Sequence, residues 1–154
     1  MVAHSMELDE LLFSSFFMDH GNNNELKETS SNIGQRIFTA DNKKGVINND
    51  SIAVALNVKK SGIYLLQFFV CHCGADSITK PNAYWEINFE AAYSGRKFLN
   101  IPVSGAWDNT NIVNTLENLE SGTHNFTFKN QTGATTSSEY LTRAGVVAYL
   151  LKSV

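Results

Sequence analysis

Trp107 stands in "VSGAWDNTN", flanked by Gly105 and Ala106 on one side and by Asp108, Asn109 and Asn111 on the other. An exposed indole in such a loop can stack on the apolar C–H face of a pyranose. The carboxylate and amides beside it can meet the hydroxyls on the sugar's rim. A buried indole would instead plug the end of a β-sandwich, where its N–H needs a partner. Tyr140, in the polar run "TSSEYLTR", has no apolar pattern around it and is a second surface candidate. Arg143 can donate to vicinal hydroxyls, or pair with Glu139 if that stretch were helical. Trp85 lies in an alternating stretch and reads as core.

The residues that do other chemistry are present but scattered. Cys71, His72 and Cys73 are consecutive in "FFVCHCG". On a strand the two thiols share a face and the imidazole takes the other, so the three cannot converge on one metal. Buried strand thiols are the expected reading. His4, His20 and His124 are isolated, and so are Asp76, Glu86, Glu90, Asp108, Glu117, Glu120 and Glu139. There is no Gly-rich phosphate loop before a helix, no Gly-x-Ser-x-Gly elbow and no His-Glu-x-x-His pair. The chain reads as a non-enzyme with no cofactor and no metal site.

Whole-chain properties narrow the class. The 154 residues carry a net charge of −3, with 18% charged and 11% aromatic residues. That suits one well-filled domain. Basic residues come in short pairs, Lys43-Lys44, Lys59-Lys60 and Arg96-Lys97, not in a stripe, which argues against nucleic acid. The longest apolar run, Ile63 to Val70, is far short of the ~20 residues that span a bilayer. No secretory signal is visible near Leu11-Leu12 or Phe16-Phe17-Met18. Met1–Ser5 reads as an expression remnant ahead of a native Met6, leaving 6–154 as the domain.

The positioning elements are mostly strands. A short helix over Glu7–Met18 is expected from Leu8, Leu11, Leu12 and Phe16. After it come turn signals at Asp41-Asn42 and Asn48-Asn49-Asp50. "SIAVALNV" alternates, which predicts Ile52, Val54, Leu56 and Val58 on one buried face. "IYLLQFFVCHC" reads as a strand buried on both sides, and "AYWEINFEAAY" as an alternating one. "SGRK" reads as a hairpin turn before "FLNIPV"; "NIVNTLENL", "HNFTFKN" and "AGVVAYLLKSV" complete the set. Seven or eight short strands with little helix predict an all-β fold, an antiparallel jelly-roll β-sandwich.

Three segments, in order, resemble carbohydrate-binding modules of the family 6/family 35 type, which are galactose-binding-like jelly rolls. They are "IAVALNVKKSGIYLLQFFV" with Gly62 and Tyr64, "VSGAWDN" with Trp107, and "LESGTHNFTF" with Leu119, Gly122 and His124. The resemblance covers roughly residues 45–151. It implies non-catalytic binding of a carbohydrate at loops on one end of the sandwich, with Trp107 as a stacking ring. It also implies an extracellular or secreted setting and, in many members, a structural calcium beside an N-terminal acidic pair that has no clear counterpart here. Where that family places further aromatics this chain has Thr110 and Val46, and where it has a late Asn this chain has Arg143. "SGIYLLQFFV" and the closing "AGVVAYLL" also resemble tumour-necrosis-factor/C1q-type jelly rolls, which are trimers. That alternative implies assembly or receptor binding, with Tyr64, Tyr93 or Tyr149 at a subunit interface.

Overall fold

The computed structural model describes residues 36–72, 83–91, 95–102, 110–133 and 141–153. The expected helix over Glu7–Met18 lies outside these residues. Eight strands follow in order: β1 (Arg36–Lys44), β2 (Ser51–Val58), β3 (Gly62–His72), β4 (Tyr84–Ala91), β5 (Gly95–Pro102), β6 (Thr110–Leu119), β7 (Gly122–Gln131) and β8 (Leu141–Ser153). They form two four-stranded sheets, β1-β8-β3-β6 and β2-β7-β4-β5. The antiparallel pairs are nested: β1 with β8, β2 with β7, β3 with β6, and β4 with β5. A long hairpin folded over on itself has this pairing, so the fold is the antiparallel jelly-roll β-sandwich expected from the strand pattern.

Alternation decides which side chains meet between the sheets. Ile52, Val54, Leu56 and Val58 of β2 all face inward and are buried, as their spacing predicts. Trp85, Ile87 and Phe89 of β4 do the same, so Trp85 is core. Phe68 of β3 sits at the centre. Its ring centroid is 5.5 Å from that of Phe89, 5.4 Å from Phe126 and 6.1 Å from Phe128, tying β3 to β4 and β7 across the layer.

The β1-β8-β3-β6 sheet is apolar on its other side as well. Phe38, Ala40, Phe69, Cys71, Val147 and Tyr149 form a second buried cluster there, with Leu65 packed against it. Phe38 and Phe69 lie on strands separated by β8, yet their rings stack 6.1 Å apart at an interplanar angle of 9°. Gly145 of β8 lies between those strands. A Cβ there would come within 2.4 Å of the Thr39 carbonyl oxygen and 2.6 Å of the Ala40 Cβ. Burial on both faces explains why β3 and β8 read as nearly continuous apolar runs.

Three expectations are corrected. Asp41-Asn42 is not a turn: both residues lie within β1, opposite Ala144 and Arg143 of β8, so backbone pairing overrides local turn preference. The "SGRK" stretch is not wholly a turn between β4 and β5. Gly95, Arg96 and Lys97 of "SGRK" already belong to β5, and Gly95 takes a φ of 74° where it pairs with Ala91. Tyr64 faces the core with no exposure, and its hydroxyl donates to the Lys60 carbonyl at 2.5 Å, so it is not an interface residue. Tyr93 lies outside the described residues.

Candidate functional site

Strand directions send four connections to the same end of the sandwich: residues 45–50, 73–82, 103–109 and 134–140. Trp107, Asp108, Asn109 and Tyr140 fall in the last two and outside the described residues. Their flanks are described. Pro102 of β5 pairs with Tyr84, which in turn pairs with Gln131, while Thr110 of β6 pairs with Cys71. Leu141, the first residue of β8, pairs with Lys44. Both candidate segments are therefore tethered to one end.

Asn111 and Arg143 can be placed directly. Asn111 is half-buried and pairs with Val70, a core residue, so it faces the space between the sheets near their end. Arg143 lies on β8, opposite Asn42 and Cys71, and faces the outer side. Its guanidinium stands 6.0 Å from the centre of the Phe38 ring, and Nη1 donates to Asn42 Oδ1 at 3.2 Å. Only 8% of Arg143 is exposed. It lies in a strand, so the helical pairing with Glu139 does not occur. Asn111 and Arg143 are two strands apart, about 10 Å, on opposite faces of one sheet. The structure puts them at one end but does not bring them into contact.

The same end has a rigid polar floor that sequence reading treated only as a turn. Asn49 takes a φ of 74°, which Asn tolerates better than most residues. Its N–H donates to the Asn130 carbonyl at 2.8 Å, and the Asn130 N–H donates to the Asp50 carbonyl at 2.8 Å. Asn130 is fully buried. Its Nδ2 donates to the Ile47 carbonyl at 3.0 Å, and its Oδ1 accepts from the Thr132 N–H at 2.9 Å and the Thr132 hydroxyl at 2.6 Å. Asn48 Oδ1 accepts from the Gly133 N–H at 2.9 Å, and Asn49 Oδ1 from Gln131 Nε2 at 3.1 Å. Asp50 accepts from the Ile47 N–H at 3.0 Å and lies 3.5 Å from Lys43 Nζ. The Ile47 bond, followed by the charge of Lys43, holds the Asp50 carboxyl below its ordinary value of 3.8. The clue in the sequence was the clustering of Asn48-Asn49-Asp50 and Asn130-Gln131-Thr132, whose partnership across the chain no local pattern reveals.

The residues that carry the family resemblance are mostly fold residues. Gly62 sits so close to β8 that a Cβ would fall 2.2 Å from the Lys152 carbonyl oxygen. Gly122 adopts a φ of 133° at the start of β7. His124 Nε2 lies 2.6 Å from the Glu120 carbonyl and closes the β6–β7 turn. Val46 is fully buried in the core, so the position of a second platform aromatic is unavailable to a ligand. Cys71 is buried, and Cys73 lies outside the described residues. Among the described residues no three His, Cys, Asp or Glu side chains gather to hold a metal. No helix among them is long and apolar enough to cross a membrane.

No protein-family profile matches the chain, and no curated protein matches it in sequence. Several solved structures are similar to the chain at low identity. The chain is similar to the carbohydrate-binding module of Cellvibrio mixtus lichenase 5A, solved with cellotriose: identity is 18%, coverage 86% of this chain and 92% of that one, and the TM-score 0.38. It is also similar to part of the exo-β-1,3-galactanase of Phanerochaete chrysosporium, solved with β-1,3-galactotriose, at 14% identity, 85% and 29% coverage and a TM-score of 0.45. A third likeness is to an uncharacterized Listeria monocytogenes protein solved with glucose, magnesium and calcium, at 14% identity and a TM-score of 0.43. It covers 84% of this chain but only 10% of that protein's length. These are likenesses of strand arrangement, and the bound sugars and ions belong to those proteins.

Proposed function

We propose that the chain is a non-catalytic carbohydrate-binding module whose site lies at the end of the sandwich that carries 103–109 and 134–140. One observation supports this most: strand order brings both segments to a single end, beside a floor fixed by the Asn130 network. In this reading Trp107 supplies the stacking face. Asp108 and Asn109 reach the rim hydroxyls, Asn111 lines the end of the space between the sheets, and Tyr140 adds a second contact. Arg143 contributes from the outer side only if its bond to Asn42 is exchanged. With one matched platform aromatic the affinity belongs near the millimolar end, about −4 kcal/mol. Trp107→Ala should abolish binding on a glycan array while the thermal midpoint stays unchanged. A loss of about 3–5 kcal/mol of stability, with no sugar bound by either protein, would make Trp107 a core plug and end this reading.

The trimeric jelly-roll alternative has an observation of its own. Phe98 on β5 and Ile112 and Leu116 on β6 are 58%, 40% and 61% exposed. Both strands are sheet edges on the same side of the sandwich, linked by Lys97 Nζ and Glu117 Oε1 at 2.6 Å. Ile112 and Leu116 project together from the outer face of one sheet, and Phe98 from the outer face of the other, so the pair on β6 is the apolar patch an assembly interface would use. Sedimentation equilibrium separates the readings: a trimer favours assembly, and a monomer up to high concentration favours the sugar module.

A further inference from the structure

The outer face of the β1-β8-β3-β6 sheet poses a geometric problem. Phe38 is 1% exposed and Phe69, Val147 and Tyr149 are 0% exposed, yet the second sheet packs on the opposite face. No described strand lies over them. The connections at the candidate-site end are too short. Segment 134–140 is tethered at both ends, so it extends at most about 13 Å from the sheet's end, and 73–82 at most about 18 Å. Tyr149 lies about 27 Å along β8 from Leu141, and Leu65 about 24 Å along β3 from His72. Segment 103–109 is no longer than 134–140, and 92–94 joins two strands of the other sheet. Residues 1–35 precede β1, the edge strand of this very sheet, and they have the reach.

We propose that residues 7–18 are the occupant: an apolar strap of this chain lies across Phe38, Phe69, Val147, Tyr149 and Leu65 on β1, β8 and β3, and leaves Ile112 and Leu116 of the edge strand β6 exposed. The chemistry matches. Leu8, Leu11, Leu12 and Phe16 recur at helical spacing, giving the stretch one apolar side. Twelve helical residues span about 18 Å, enough to cross β1, β8 and β3, which lie about 10 Å apart from first to last. Glu7, Asp9 and Glu10 make the stretch acidic, and the face it covers carries Arg36 and Arg143. The strap turns a two-layer sandwich into three layers.

Photo-crosslinking in the full chain tests the assignment. Phe16 is replaced by benzoylphenylalanine, and unlabelled protein is mixed with uniformly 15N-labelled protein before irradiation. Crosslinks within single molecules to peptides of β1, β3 or β8 are expected. Crosslinks only between light and heavy chains would mean that a second copy covers the face, and crosslinks elsewhere or none would remove the strap; either result overturns the proposal. A second measurement uses Cys71, which lies on the covered face at 6% exposure. In a Cys73→Ser background, Leu11→Asp with Phe16→Asp should raise the rate of Cys71 modification by an aromatic disulfide at least tenfold while far-UV circular dichroism stays β-rich. An unchanged rate in the folded variant would also overturn the assignment.

Discussion

Gly62 and Gly95 differ in what a side chain would meet. At Gly62 a Cβ falls 2.2 Å from the Lys152 carbonyl oxygen and 2.8 Å from Leu150 Cδ1, where β3 and β8 shift register between Ile63 and Tyr64. The strand backbone cannot give way cheaply, so Gly62→Ala should cost about 3 kcal/mol, the upper range for overpacking. At Gly95 a Cβ meets nothing within 4 Å, and only the φ of 74° resists it. Gly95→Ala should cost about 1 kcal/mol. Urea unfolding of both variants checks the order; equal costs would show that the close approach at Gly62 relaxes. The sequence marked Gly62 through its resemblance to a Gly-x-Tyr pattern, but the reason for the glycine is a carbonyl ninety residues away in the chain, and no local reading reaches it. Arg143 shows the same limit. Its residue type suggested a ligand contact, and its surroundings bind it to Asn42 and Phe38.

Among the elements, those with strict alternation were the most legible. β2 and β4 followed their patterns residue by residue because one face of each is dry and the other is not. β3 and β8 were recognisable as strands, but their second apolar face is explained only by what lies over it. Boundaries failed where pairing extended a strand through turn-forming residues, as at Asp41-Asn42 and Gly95-Arg96. The candidate segments read as loops because glycine, asparagine and serine crowd them; they lie outside the described residues, and only their flanking strand ends are assigned, both to one end. The best single probe of how the layers are joined is Phe68, which meets Phe89, Phe126 and Phe128. Phe68→Ala should lower stability by about 3–5 kcal/mol. A calorimetric midpoint within a degree of the parent would mean that the two sheets hold together without it.

At the scale of the whole molecule, nested pairing makes nearly every important contact distant in sequence. Arg36 pairs with Tyr149, Ser51 with Lys129 and Gly62 with Leu119. β8 is the element most exposed to this arrangement, because it lies between β1 and β3. Until residues 141–153 leave the ribosome, β1 has no partner in its sheet and β3 is paired on one side only. The nascent chain therefore carries an incomplete sheet with aromatic faces and open edges, the state most prone to wrong pairing. Closure must await the insertion of one strand between two others, and loops this long make that insertion slow. In the cell, yield would then be limited by how long the half-built sheet is shielded from its neighbours during and just after synthesis.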